Sequence, residues 1–285
     1  MNPPHAIDYL APIIVILILL SIGLAGSSVI AWVGYQRQSL TRSGALGTIG
    51  VGTAIFTFGG PAWWLLLIAF FVSSSGLSHF RSGRKRALTD KFSKGARRDI
   101  WQVLANGGPG ALLSLIYGFQ SWPWLGVAFA GALATVNADT WATELGVLSR
   151  TPPRLITTGR PVEAGTNGAL SLVGTVAALA GAGFIGGLAG GFSLFQSTPP
   201  AALGLMLAAT LGGFGGAMVD SLLGATIQGV YLCDRCRQET EHRLHHCGHP
   251  TRPLRGWPWL DNDGVNFLSA LAGMGMAIGL WSLLA

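Results

Sequence analysis

The sequence predicts an all-α, polytopic transmembrane helical bundle of about eight spans, and three observations lead there. Half of the 285 residues are hydrophobic, 11% are charged and 42 are glycine. A soluble core of this size needs a more polar shell, whereas helices in lipid tolerate glycine because neighbouring helices re-satisfy the backbone. Residues 10–35 carry no charge over 26 positions, longer than the roughly 20 residues that cross a bilayer. All 18 basic residues fall in four segments: Arg37 and Arg42, Arg81 to Arg98, Arg150 to Arg160, and Arg235 to Arg255. Lys and Arg are retained on the cytoplasmic side, so each segment is expected there, with an even number of crossings between neighbours.

The elements follow in order. MNPPHAIDY lacks the basic stretch of a secretory signal, so the first apolar segment reads as a retained helix. Between Arg42 and Arg81 the apolar run breaks at Gly59-Gly60-Pro61, which predicts a hairpin. Gln120-Ser121-Trp122-Pro123 turns the next interval, and the region from Gln196 to Pro200 turns the third. A final helix over 265–284 gives eight crossings with both termini outside. The arms around Gly47 and Gly107 are short and glycine-rich, which suits re-entrant or broken segments. Residues 1–285 form one membrane domain, with an inserted cytoplasmic loop over 231–255.

The net charge of +6 does not point to nucleic acid. The basic residues sit where topology places them, and no stacking aromatics accompany the main cluster. The loop RSGRKRALTDKFSKGARR reads as a topology anchor beside anionic lipid or as a phosphate grip.

An internal helix-loop-helix repeat supplies candidate partners. Asp139-Thr140, then Arg160-Pro161, then NGALS are followed in the same order by Asp220-Ser221, Arg252-Pro253 and DNDGVNFLS. Two units of like plan suggest a pseudo-twofold axis along the membrane normal. A carboxylate at membrane depth is costly, by roughly 2.5 to 3.5 kcal/mol on insertion scales, and usually faces a partner or a wet cavity. The bland alternative is that each acid only accepts hydrogen bonds from neighbouring helices. Asp139, Glu144, Asp220, Asp261 and Asp263, all expected on one membrane side, favour a divalent cation, and oxygen-only ligands indicate Mg2+.

Glycine-rich turns supply anion-binding geometry. TTGRPVEAGTNGALS places Thr158, Asn167 and Gly168 ahead of an apolar helix, where free N–H groups bind phosphate. LANGGPGALLS adds Asn106 and a Gly-Gly-Pro break, read as a kink or a cavity wall.

All three cysteines lie in CDRCRQETEHRLHHCGHP. Cys233, Cys236, Cys247 and His249 have the spacing of a structural Cys3His zinc site, with His245 or His246 as replacements for His249. In a reducing cytoplasm these thiols are poor disulfide formers.

FFVSSSGLSHF, WQVLANGG, NADTWATELG, ITTGRPVEAGTNGALSLVGT, VDSLLGATIQ and LDNDGVN together resemble the successive motifs of the integral membrane family that includes phytyl-phosphate kinase and transmembrane protein nineteen. The likeness spans nearly all of the chain after the first helix. The Cys/His insertion departs from the shorter eukaryotic forms without touching the motifs. The resemblance implies a kinase that converts a prenyl monophosphate, phytyl or geranylgeranyl phosphate, to the diphosphate with a nucleoside triphosphate such as CTP. Within that chemistry Asp139, Asp220 and Asp263 are expected to bind Mg2+, supported by Glu144 and Asp261. Asn167-Gly168 and Asp263-Gly264 would cradle phosphates, with Thr158, Ser221 and Asn262 beside them. Arg160 and Lys85 would neutralise charge, and Asn106 and Asn266 would donate hydrogen bonds. A transporter or lipid scramblase, and a CDP-lipid synthase, remain the alternatives.

Overall fold

The computed structural model describes residues 6–80, 97–195 and 198–284. Lys85 and most of the basic loop containing it lie outside the described residues, as does the corner residue Gln196.

Helix α1 (Ala6–Gln36) leads into α2 (Arg42–Ala54), whose first turn is capped by Thr41 accepting from the Gly44 N–H at 3.1 Å. A π-helical turn (Ile55–Gly59) ends at Gly60, whose φ of +83° favours glycine, and Pro61 then starts α3 (Gly60–His79). The chain reverses here. Gly52 and Phe56 face Ser27 and Gly23, whereas Trp64 and Phe71 face Gly26 and Gly34. Thus α2 runs against α1 and α3 returns alongside it. The Trp64 indole N–H donates to the Ser27 hydroxyl at 3.1 Å and fastens the return arm.

Helix α4 (Ile100–Phe119) begins with a capping box between Asp99 and Gln102, and it carries Pro109 without ending. It lies along α2 and the π-helical turn, with Gly107 on Val51 and Gly118 on Phe58. Helix α5 (Pro123–Gly146) is the hub: every residue from Val127 to Ala138 is buried. A helix apolar on all sides needs neighbours all round. Helices α6 (Leu172–Ser193), α7 (Pro199–Thr226) and α8 (Asn262–Leu284) supply most of them, forming an antiparallel pair α5–α6 and a second, α7–α8.

Among the described residues five helical stretches are long and apolar enough to cross a membrane: Ile13–Gln36, Arg42–His79, Leu172–Ser193, Ala201–Thr226 and Asn262–Leu284. Five stretches do not confirm the expected eight crossings: α2 and α3, antiparallel arms joined without a polar break, count as one stretch, and α4 and α5 carry polar residues among their apolar ones. The outward face of α1 is apolar, with Ile13, Val15 and Leu17 each more than half exposed, as suits contact with lipid tails.

The fold is not wholly helical. Strands β1 (Arg154–Leu155) and β2 (Ala169–Leu170) pair between α5 and α6. Strands β3 (Val230–Cys233), β4 (Gln238–Thr240) and β5 (Arg252–Arg255) form a sheet of order β4-β3-β5 between α7 and α8. The order helix, small sheet, helix therefore occurs twice.

Asn137, the first residue of the NADT motif, is fully buried. Its amide donates to the Gly181 carbonyl at 2.7 Å and its oxygen accepts from the Ser73 hydroxyl at 3.1 Å, joining α5 to α6 and α3. It is a structural staple. Asn137→Ala should destabilise the protein by about 1–2 kcal/mol, read as a lower melting temperature in detergent; an unchanged melting temperature would show the staple to be idle.

Candidate functional site

The site starts from the way α5 and α7 cross. Gly213 faces Ala134, Gly216 faces Thr135, and Gly273 of α8 closes on the same Thr135. A Cβ at any of the three would overlap its neighbour, so glycine alone permits this approach. One turn further along, the two helices bring the carboxyl groups of Asp139 and Asp220 into hydrogen-bonding contact. The Ser269 hydroxyl of α8 donates to Asp220 Oδ2 at 2.9 Å. Two half-buried carboxyl groups in contact require a shared proton or a cation between them.

The pair opens on a cavity of about 690 Å³ at the end of the bundle that carries the basic segments. Glu144 lies on its wall and accepts from the Ser78 hydroxyl at 2.5 Å. Opposite stands Arg98, which donates to the Ser75 hydroxyl at 3.0 Å and lies 5.8 Å from the ring centres of Phe70 and Phe71. Burial draws its guanidinium down to about 10, opposed by the Glu144 carboxylate, so it stays charged at neutral pH. Arg97 also lines the cavity and donates to the Leu40 carbonyl at 3.0 Å.

The third wall is the loop over 165–171. Gly168 has a φ of +75° and packs so tightly on Ser221 and Ala225 of α7 that no side chain fits. Ser171 caps α6, accepting from the Gly174 N–H at 3.0 Å, and turns the helix start toward the cavity. A cavity with acids on one side and arginines and a helix start on another can hold a polyphosphate together with cations.

Of the residues expected from the sequence, the cavity gathers Asp139, Glu144 and Asp220, and with them Asn106, Asn167, Gly168, Ser221, Asn262 and Asn266. The Asn266 amide donates to Asn106 across α8 and α4 at 3.3 Å. Others fall elsewhere. Asp261 is exposed and accepts from the Gly264 N–H at 3.0 Å, capping α8 instead of lining the cavity. Asp263 is buried in the first turn of that helix, outside the lining. Thr158 and Arg160 are exposed on the β1–β2 connection, also outside it. Lys85 lies outside the described residues, Arg160 lies outside the cavity, and Arg97 and Arg98 occupy the wall. Their position directly before the capping box of α4 was the available signal.

A second, apolar cavity lies between α1, α2, α3 and α4, lined by Ile30, Val51, Trp64, Leu67, Phe70 and Val103. It shares Arg98, Gln102 and Asn106 with the polar one.

The cysteine loop forms a metal-competent cluster of Cys233, Cys236, His245 and Cys247, whose donor atoms all lie within 4.8 Å of one another. Cys233 ends β3, Arg237 turns the chain back with a φ of +53°, and Gly248 turns it again at +77°. The Cys233 and Cys247 sulfurs are 3.7 Å apart. That matches the edge of a tetrahedron with metal–sulfur bonds of about 2.3 Å, about 3.8 Å, and is far beyond a disulfide bond. The His245 imidazole hydrogen-bonds Cys247 and pushes its thiol down to about 6, a thiolate near neutral pH. Neighbouring Cys247 and Cys233 instead push the Cys236 thiol up to about 11. His249 is not in the cluster. It points outward, 3.2 Å from the Arg235 guanidinium, because the turn at Gly248 directs His245 inward in its place.

The insertion also reaches the motifs, contrary to expectation. Glu241 lines the polar cavity and accepts from Asn167 at 2.9 Å and from Gln228 at 2.7 Å. No acid was expected there, because proximity to the TNG motif arises only through the folded sheet.

The family of integral membrane proteins described as DUF92 matches residues 25–274. Protein PGR of Arabidopsis thaliana is 36% identical over 264 residues, 86% of this chain and 90% of the relative. An uncharacterized membrane protein of Methanocaldococcus jannaschii is 33% identical over 214 residues, 74% of this chain and 84% of the relative. The chloroplastic protein VTE6 of Arabidopsis thaliana is 27% identical over 244 residues, 84% of this chain and 64% of the relative. No solved structure matches the chain. The matched span runs from within α1 into α8 and takes in every wall of the polar cavity, and on that evidence the chain belongs to the DUF92 family of integral membrane proteins.

Proposed function

We propose that the protein is a membrane kinase that converts a prenyl monophosphate, phytyl or geranylgeranyl phosphate, to the diphosphate with a nucleoside triphosphate, CTP in the first instance. The observation that carries this reading is the junction of the two cavities at Arg98, Gln102 and Asn106. A substrate with an isoprenoid tail and a phosphate head needs an apolar slot that opens beside cations, and this junction has that character.

In the reaction an oxygen of the prenyl phosphate attacks the terminal phosphorus of the triphosphate, and the bond to the nucleoside diphosphate breaks. The acceptor is already an anion near neutral pH, so positioning and charge neutralisation suffice. Arg98 steadies the acceptor phosphate at the mouth of the apolar slot. The loop over 165–171 and the start of α6 face the triphosphate, and Asn106 and Asn266 orient the phosphate oxygens between them. Mg2+, when bound by Asp139 and Asp220, supplies charge neutralisation of the phosphates. The oxygen-only donors and the direct contact of the two carboxyl groups suit it. The Cys/His cluster is assigned a structural Zn2+, and the polar cavity is assigned to the cytoplasmic face, where its arginines belong.

The test is a panel of nucleotides labelled at the terminal phosphate, with prenyl phosphates, Mg2+ and protein purified in detergent. Labelled prenyl diphosphate and a nucleoside diphosphate are expected. Release of pyrophosphate would indicate a CDP-lipid synthase, and lipid flux in liposomes without nucleotide consumption would indicate a transporter; either would replace the kinase reading. Arg98→Ala should raise KM for the prenyl phosphate by roughly 10- to 100-fold, the worth of a charge-assisted hydrogen bond. Arg98→Lys should recover part of that loss, and a KM unchanged in both would remove Arg98 from the acceptor site.

A further inference from the structure

We propose that a metal ion held by Cys233, Cys236, His245 and Cys247 orders the polar cavity from outside it, by fixing Glu241 as the positioning residue of the loop over 165–171. This rests on the proposed function only in taking that loop as a phosphate-facing wall.

The metal site itself stands on three separate features. Four donors of the type preferred by zinc or another soft divalent ion lie within 4.8 Å, and two sulfurs stand 3.7 Å apart. His245 is 2% exposed, and its Nε2 has no hydrogen-bond partner among the described residues. The buried ring already holds Nδ1 3.2 Å from the Cys247 sulfur, placing a histidine nitrogen among the thiols as a metal site requires.

The link to the cavity runs through one carboxylate oxygen. Glu241 Oε1 accepts from the Asn167 amide at 2.9 Å and from the Gln228 amide at 2.7 Å. It thereby ties the inserted loop to the phosphate-facing turn and to the end of α7. Glu241 directly follows β4, which pairs with β3 at only three positions, Tyr231↔Thr240, Leu232↔Glu239 and Cys233↔Gln238. So short a hairpin is marginal by itself. Cys236 lies before β4 and His245 lies after Glu241, so an ion bridging them clamps the segment at both ends. Binding energy of the ion becomes ordering of Glu241, and through it of Asn167. Asn167 is followed by Gly168, which has no room to shift against α7. Gly168 thus anchors one side of the turn and Glu241 the Asn167 side chain on the other, so release of Glu241 frees Asn167 and the residues before it.

The experiment uses the full-length protein in detergent. Elemental analysis should find about one zinc per chain, with zinc absent from Cys247→Ser. Amide hydrogen exchange over residues 165–171 should speed up roughly tenfold when wild-type protein is stripped with a chelator, and return when Zn2+ alone is added back. Glu241→Ala should keep its zinc and show the same fast exchange. Glu241→Gln, which retains the accepting oxygen, should stay near wild type, an outcome that general unfolding of the loop would not produce. The proposal is overturned if the protein neither contains nor takes up zinc, or if stripping zinc leaves exchange over 165–171 unchanged. Where phosphoryl transfer is measurable, the metal-free protein and Glu241→Ala should share a raised KM with kcat largely kept. Absence of transfer in every form, with the exchange differences present, would dismiss the kinase reading and leave this coupling in place.

Discussion

Asp139→Asn and Asp220→Asn should each lower kcat for phosphoryl transfer by about a thousandfold, the scale seen when charge stabilisation is removed from a preorganised site. The two side chains touch at the floor of the polar cavity, and Ser269 orients the second. Asparagine keeps the shape and the ability to hydrogen-bond but removes the charge. Stability gives the control. A half-buried carboxyl pair at membrane depth is unfavourable for folding, so the neutral variants should melt at the same temperature as wild type or above it. Loss of activity together with retained melting temperature is the expected signature. Full activity in either variant would show that the acid pair does not carry the chemistry. Asp139→Glu should recover little, because an added methylene has no room where the carboxyl groups already meet.

Gly216→Val should abolish activity through packing and not through chemistry. At this position any Cβ collides with the Thr135 hydroxyl and with Gly273 of α8, which crowds the same hydroxyl. Overpacking a tight contact costs about 1–3 kcal/mol and more where the backbone must move. The expected result is a clear fall in melting temperature in detergent, or loss of the monodisperse protein, with activity falling in parallel as α5 and α7 separate. Gly187→Ala is the matched control: nothing lies within 4 Å of a Cβ there, and the substitution should be silent. If Gly216→Val is as stable as wild type, close approach of α5 and α7 does not set the spacing of the acid pair.

Much of the fold was legible along the chain. The hairpin at Gly59-Gly60-Pro61 was readable because a positive φ and a proline at a helix start are local requirements. The corner before Pro123 was readable for the same reason, whereas the helix start expected at Asn167-Gly168 lies at Leu172, because Ala169–Leu170 pairs as a strand first. The small sheets were not readable, since strands of two to four residues have no periodicity to detect. Within the site, Asp139 and Asp220 stood out because a carboxylate in an apolar run has few inexpensive explanations. Asp261 looked similar and proved to be a helix cap, a local role that also selects aspartate.

The amino-acid sequence by itself determined that this chain lives in a membrane, that it is mostly helical, and which acids lie near the polar ends of its apolar runs. Those properties follow from hydropathy and from backbone hydrogen bonds closed within each helix, both of which act over a few residues. Only the tertiary structure decided that Arg98 and not Arg160 faces the acids, that His245 and not His249 joins the thiols, and that Glu241 reaches Asn167. Each of these depends on which surfaces come into contact. That is set by the close approach of α5, α7 and α8 at their glycines and by the turns of the inserted sheet, contacts between residues far apart in the chain.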